Sequence, residues 1–219
     1  MTSADELDLR CYLVTSGHDR HTVETAAAAA AAGAGMIQVR CKEAGTAELL
    51  ELLTAVAEAV RDVAPATRVI VDDRADVAFA ARYAGAPVAG VHLGWDDLPV
   101  AAARAMLGPE AIIGMTTGTM ELVQGAQKLA DKLDYIGCGP FRPTPTKNSG
   151  RTPLGLDGYP PLVAATELPM VAIGDVRPSD AENLAATGVA GLALVRAIMG
   201  VEDPAAVVRR VVAAFPEVR

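Results

Sequence analysis

"RVIVDDRADVAFAARYAGAPVAGVHLGWDDLPVAAARAMLG" runs from Arg68 to Gly108. It opens with a short apolar run that ends in two aspartates, Asp72 and Asp73. "ADVAFAARYAG" then has the spacing of a helix that stops near Gly85. The pattern begins again at once: "GVHLG" reads as a strand, Asp96 and Asp97 follow it, and "LPVAAARAMLG" reads as a helix with proline in its first turn. Strand, acidic turn, helix and glycine, repeated without a hairpin signal, is the βα unit of a parallel sheet. The apolar runs are continuous rather than alternating, as in strands covered on both faces.

The same alternation extends both ways. "CYLVT", "MIQVR", "AIIGMT", "DYIGCG", "MVAIGD" and "GLALVR" read as strands. "HTVETAAAAAAAG", "TAELLELLTAVAEAVRDVA", "MELVQGAQKLA", "YPPLVAA", "RPSDAENLAATG" (with caps expected at Ser179 and Gly188) and "PAAVVRRVVAAF" read as helices. The count comes to about eight units, which predicts a single (β/α)8 barrel domain over residues 1–219. A doubly wound open sheet is the rival, but no GxGxxG opens a helix.

Composition narrows the function. The chain has 219 residues, 51% of them apolar and only 4% aromatic, so the core must be built from Ala, Val, Leu and Ile. A net charge of −8 argues against a general nucleic-acid partner. The three scattered cysteines make neither a disulfide framework nor a zinc site, and a reducing cytoplasm suits them. No apolar run approaches the ~20 residues of a membrane span, and the acidic start lacks the pattern of a signal peptide. Small-molecule partners are therefore expected, and a homo-oligomer is compatible with the sequence.

A barrel of this kind works at the carboxyl ends of its strands. The polar residues there are Gln38, Arg40 and Lys42 after strand two, Asp72, Asp73 and Arg74 after strand three, and Trp95, Asp96 and Asp97 after strand four. Thr116, Thr117 and Thr119 follow strand five. Thr144, Thr146 and Lys147 stand in the stiff loop "GCGPFRPTPTKNSG" after strand six. Gly174 and Asp175 follow strand seven, and Arg196 follows strand eight. Lysine and arginine suit phosphate oxygens. Aspartates from separate strand ends suit Mg²⁺ shared with substrate phosphates. Together they predict a magnesium–diphosphate site in an acidic protein.

"QVRCK", "DDRADVA", "GVHLGWDDLP", "IGMTTGT", "GPFRPTPTK" and "VAIGD" occur in order between residues 38 and 175. In these motifs, and from about Cys11 to Met199, the chain resembles thiamine phosphate synthase. That resemblance implies a transferase in thiamine biosynthesis. It couples 4-amino-2-methyl-5-(diphosphooxymethyl)pyrimidine to a phosphorylated hydroxyethylthiazole (or its carboxylate) and releases pyrophosphate. It implies Mg²⁺ on Asp73 and Asp97. The pyrimidine diphosphate falls to Gln38, Arg40, Lys42, Asp72, Thr116 and Lys147, with Arg40, Lys42 and Lys147 as catalytic cations. The thiazole phosphate falls to Thr144, Thr146, Gly174, Asp175, Val195 and Arg196.

The chain departs from that family at four of these positions. Asp72 stands where the family has asparagine, and Thr116 where it has serine. Asp175 replaces the second glycine of "IGG", and Arg196 replaces a serine. A carboxylate at Asp175 would repel a phosphate unless Arg196 offsets it or takes the phosphate itself. Two other functions are open to the same fold. A thiazole tautomerase has histidine where this chain has Gly118. A non-catalytic phosphate-ligand binder is favoured only by Asp175. Blander readings cover the remaining residues: Asp76 and Asp96 start helices, His92 is a satisfied core histidine, Cys41 packs, His18 and His21 lack a third metal ligand, and Ala26–Ala32 is a close-packed helix.

Overall fold

The computed structural model describes residues 7–143 and 150–217. Eight parallel strands close into a barrel in sequence order. They are β1 (Cys11–Val14), β2 (Met36–Val39), β3 (Arg68–Asp72), β4 (Val88–Leu93), β5 (Ile112–Thr117), β6 (Tyr135–Cys138), β7 (Met170–Ala172) and β8 (Gly191–Leu194). β1 pairs with both β2 and β8, which leaves none of the described strands at an edge. The open-sheet rival is thereby set aside.

The helices are α1 (Arg20–Ala31), α2 (Thr46–Val63), α3 (Ala75–Tyr83), α4 (Val100–Leu107), α5 (Met120–Gln127), α6 (Tyr159–Val163), α7 (Ala181–Ala185), α8 (Arg196–Met199) and α9 (Pro204–Ala213). In α2 the buried residues Leu49, Leu52, Leu53, Val56, Ala57 and Val60 follow one helical stripe. In α1 the stripe is alanine, with Ala26, Ala29 and Ala30 buried, so its backbone can approach its neighbours closely. Asp19 caps α1 by accepting from the Thr22 amide.

Strand alternation divides the apolar residues into two cores. Leu13, Ile37, Val71, Val91 and Ile113 face outward, into the large core under the helices. Tyr12, Val14, Met36, Ile70, Ile112, Tyr135, Val171 and Ala193 fill the barrel itself. The interior carries two tyrosines in a protein poor in aromatics, a point on which the site depends.

The sequence-based boundaries need correction in four places. Pro99 is the N-cap of α4 rather than part of its first turn, and Asp96 lies in the turn before it instead of starting the helix. The helix expected from Arg177 begins as a 3-10 turn, Pro178–Asp180. There Asp180, not Ser179, closes the cap by accepting from the Arg177 amide at 2.8 Å. Arg196 opens the short helix α8 rather than ending β8. The strands are also shorter than read, because "MVAIGD" leaves the sheet after Ala172.

Candidate active site

A cavity of about 450 Å³ opens at the carboxyl ends of the strands. Gln38, Arg40, Lys42, Asp72, Asp73, Thr116, Gly174, Asp175, Val195 and Arg196 all line it. These residues from separate strand ends therefore form one site, whereas Asp97 does not line the cavity and adjoins it through Asp73. Thr144, Thr146 and Lys147 lie outside the described residues.

On the β2–β4 side, acids outnumber bases. The Arg40 Nε lies 3.3 Å from Asp72 Oδ2. Lys42 Nζ donates to Asp73 Oδ2 at 2.6 Å and lies 3.9 Å from Asp72. Burial alone would lower the Lys42 pKa, but its bond to Asp73 and the Asp72 charge outweigh burial and raise it. Asp73 sits in the left-handed region, with φ 61°, and its amide donates to the His92 carbonyl at 2.8 Å. That bend aims its carboxylate at Asp97, whose own Oδ2 accepts from the Gly94 amide at 2.6 Å. Burial, followed by the Asp73 carboxylate, pushes Asp97 up despite the Gly94 N–H and Lys42. Two hard-oxygen donors forced together, each raising the cost of the other's charge, form a donor set that a small divalent cation relieves. Among the described residues no third Asp, Glu, His or Cys completes a metal cluster, so such an ion would keep positions for water and substrate oxygens.

On the β7–β8 side, bases outnumber acids. Gly174 has φ 98°, and a Cβ there would lie 2.6 Å from Pro140 Cα, so only glycine fits. Asp175 follows at φ 51°. It and Asp73 are the non-glycine residues with positive φ among those described, and both are on the rim of this cavity. Arg196 Nη2 donates to Asp175 Oδ1 at 2.5 Å, and Arg177 Nη2 lies 3.6 Å from Asp175 Oδ2. The ion pair anticipated between Asp175 and Arg196 is therefore present, and Arg177 joins it. Arg142 braces the loop from below. It bonds both oxygens of Asp180 at 2.6 Å and the Asp175 carbonyl at 3.1 Å. Burial would raise Asp180, but Arg142 and the Arg177 amide hold it below the usual carboxylate value.

The floor is polar. Thr116, His92, Tyr135, Tyr12 and Gln38 form, in that order, a hydrogen-bonded series ending on Asp72. His92 is indeed buried and satisfied, yet it also lines the cavity. Tyr12, Arg151 and Arg177 also line the cavity, with Tyr135 beneath them and Arg142 bracing the loop, and the sequence reading assigns none of these five a role. A signal for the tyrosines existed: hydroxyls at inward positions of otherwise apolar strands. Arg142 and Arg177 carried none, because their partners are more than 30 residues away or set by a loop bend.

Asp76 lies in the first turn of α3, paired with Arg74. His18 sits 3.8 Å from Glu48, and His21 contacts the Met199 carbonyl, so the two do not converge. Cys41 packs against the outer core. Burial pushes the Cys11 thiol up to about 12 and that of Cys138 to about 11, which makes both poor nucleophiles. No helix among the described residues is long and apolar enough to cross a membrane.

Comparison with known proteins agrees with this geometry. Residues 11–198 match the family model described as thiamine monophosphate synthase. The thiamine-phosphate synthase of Corynebacterium jeikeium is 58% identical over 211 residues, covering 96% of each chain. That of Corynebacterium efficiens is 56% identical over 213 residues, covering 97% of each. The structure of thiamine phosphate pyrophosphorylase from Pyrococcus furiosus superposes with a TM-score of 0.81 at 31% identity over 96% of both chains. A 3-hexulose-6-phosphate synthase at 19% identity and a TM-score of 0.64 shares the fold alone. The chain belongs to the thiamine monophosphate synthase family.

Proposed function

We propose that this protein joins 4-amino-2-methyl-5-(diphosphooxymethyl)pyrimidine to a phosphorylated hydroxyethylthiazole, making thiamine phosphate and pyrophosphate. The observation that carries this reading is the division of one cavity into two charged sides. Arg40 and Lys42 stand beside the Asp73–Asp97 pair on one side, and Arg177 and Arg196 stand across from them around Asp175. One side suits a diphosphate with a cation and the other a single phosphate, with a polar floor between them for a heterocycle.

The chemistry asks for alignment and charge more than for proton transfer. The bond between the pyrimidine methylene carbon and the diphosphate oxygen breaks, and its electron pair leaves with pyrophosphate. The lone pair of the thiazole nitrogen then forms the new carbon–nitrogen bond. Arg40 and Lys42 face the departing charge. Gln38 and Thr116 orient the pyrimidine, and the Asp175 loop with Arg196 and Val195 seats the phosphate of the thiazole. Mg²⁺ held by Asp73 and Asp97 would neutralise charge on the leaving diphosphate. The three free cysteines suit a reducing cytoplasm.

The tautomerase alternative implies a histidine where this chain has Gly118. A Cβ at Gly118 would lie 2.0 Å from the Gly139 carbonyl oxygen, so this loop has no room for any side chain there. Incubating the protein with both substrates and magnesium, and following thiamine phosphate and pyrophosphate together, tests the reading. Equal amounts of the two products are expected. Binding of both substrates without product would favour the non-catalytic binder.

A further inference from the structure

Five hydrogen bonds join six side chains across the cavity floor, each from a different strand. Gln38 donates through Nε2 to Asp72 Oδ1. The Tyr12 hydroxyl meets Gln38 Oε1 at 2.5 Å and the Tyr135 hydroxyl at 2.8 Å. His92 meets the Tyr135 hydroxyl through Nδ1 at 2.8 Å and Thr116 Oγ1 through Nε2 at 2.9 Å. Two glycines make room for the series. A Cβ on Gly114 would lie 2.1 Å from the Tyr135 ring, and one on Gly137 would lie 3.2 Å from the His92 ring.

The order of protons follows from the carboxylate end. A carboxylate only accepts, so Gln38 must turn its nitrogen to Asp72 and its oxygen to Tyr12. The single Tyr12 proton then goes to Gln38, and Tyr12 accepts from Tyr135. Tyr135 in turn accepts from His92 Nδ1–H. A neutral ring is left with Nε2 as an acceptor, and Thr116 gives it the hydroxyl proton. Burial, with the Asp72 charge adding to it, raises the pKa of both phenols, so these two links stay protonated. Every donor in the series points toward Asp72. An asparagine at this position could donate or accept and would permit either direction.

We propose that Tyr12, Tyr135 and His92 are positioning residues. Under the direction imposed by Asp72, they hold Gln38 in one amide orientation and turn the lone pairs of Thr116 to the cavity, so that the pocket selects an amino-substituted pyrimidine over its oxo counterpart. The inference rests on the synthase reading. With the diphosphate drawn to Arg40 and Lys42, the ring cannot reverse end for end to suit a fixed amide. An exocyclic amino group donates to the lone pairs on offer, whereas an oxo group sets oxygen against oxygen.

The test measures kcat/KM for the amino- and oxo-pyrimidine diphosphates with the wild type, Asp72→Asn and Tyr135→Phe. Both analogues carry the same diphosphate, so changes at the cation side cancel in the ratio. The wild type is expected to prefer the amino compound by at least about 10³, as a pocket built around a substrate's donor does. Each variant should cut that ratio roughly tenfold or more and leave the KM of the thiazole phosphate unchanged. A merely structural role would lower turnover of both analogues alike, and a ratio unmoved in both variants overturns the proposal. Should Tyr135→Phe fail to fold, Tyr12→Phe breaks the neighbouring link. ¹⁵N NMR of the ring nitrogens reads the order of protons directly, in a chain with three histidines. His92 should carry its proton on Nδ1, and an Nε2–H tautomer or an imidazolium overturns the proposal. If the wild type makes no product at all, the synthase reading fails instead. Calorimetry with the amino and oxo pyrimidine alcohols then decides the inference: tighter amino binding lost in Asp72→Asn supports it, and equal binding by the wild type overturns it.

Discussion

The two sides of the cavity use the same local device for opposite ends. On each, an aspartate held at positive φ is placed among cations: Asp73 beside Lys42, and Asp175 between Arg196 and Arg177. The balance differs. Asp72, Asp73 and Asp97 face Arg40 and Lys42, so the β2–β4 side has an excess of carboxylate. Asp175 alone faces two arginines, so the β7–β8 side has an excess of guanidinium. On the proposed reading, a backbone bend that aims a carboxylate would serve a cation where acids crowd and an anion where it only spaces two bases. In that proposal the sign of the surplus, not the presence of an aspartate, assigns a substrate end to each side.

The strongest way to break this contrast is to remove a carboxylate from the crowded side. Asp97→Asn keeps an oxygen for the Gly94 amide but loses the charge opposite Asp73. Turnover should fall by several kcal/mol of transition-state stabilisation, roughly a thousandfold or more, with the fold retained by circular dichroism. Asp73→Ala should do the same. Near-normal turnover of either variant in limiting magnesium would remove both residues from the cation site. Trp95, the sole tryptophan, lies two residues from Asp97 and donates to the Thr116 carbonyl at 2.8 Å. Its fluorescence should respond to magnesium and diphosphate in the wild type and lose that response in Asp97→Asn.

Removing a base from the same side comes next. Arg40→Ala should reduce kcat/KM for the pyrimidine diphosphate by about 2–4 kcal/mol, the value of one oriented charge on a developing anion. The KM of the thiazole phosphate should hold steady. A change confined to the thiazole KM would mean that the two sides have been assigned in reverse. On the opposite side, Asp175→Gly and Arg196→Ser form a double-mutant cycle across a 2.5 Å contact. Coupling of about 0.5–3 kcal/mol is expected in the thiazole phosphate KM. Arg196→Ser alone should be the most damaging member, because it leaves Asp175 with Arg177 only at 3.6 Å. Strict additivity would show that Asp175 spaces nothing.

The β2–β4 side was far more legible in the sequence than the β7–β8 side. Arg40, Lys42, Asp72 and Asp73 are consecutive or nearly so at the ends of adjacent strands, and parallel pairing of β2 with β3 sets them side by side. Strand count and strand ends are enough to predict that meeting. The barrel itself was legible for the same reason, since each βα unit repeats a local pattern. Arg177 and Arg142 reach the other side by routes that periodicity does not record. Arg177 depends on the left-handed bend at Asp175, and Arg142 crosses from the β6 loop to Asp180. The floor fell between these cases. Tyr12, Gln38 and Tyr135 sit at inward positions that strand alternation predicts, but the order of protons among them depends on distances only the fold supplies.

The smallest expected effect probes the brace under Asp175. Arg142 holds both oxygens of Asp180, whose side chain is 12% exposed, and lowers its pKa together with the Arg177 amide. A carboxylate whose folded pKa is depressed adds stability above its unfolded value, near 3.9, and loses it as pH falls through the folded one. The contribution is therefore whole at neutral pH and disappears only in acid below about pH 4. Arg142→Met should lower stability at pH 7 by about 1 kcal/mol, a modest figure because the Arg142 side chain is 36% exposed and water screens the pair. The loss should shrink toward zero as pH drops below 4, since the wild type loses the same interaction there. The variant should also raise the KM of the thiazole phosphate a little, through a looser Asp175 carbonyl, and leave that of the pyrimidine diphosphate alone. Chemical denaturation at pH 7 and pH 3 measures the first effect. A pH-independent loss would mean that Arg142 stabilises by stacking on Phe141, 4.4 Å from its ring centroid, rather than through Asp180.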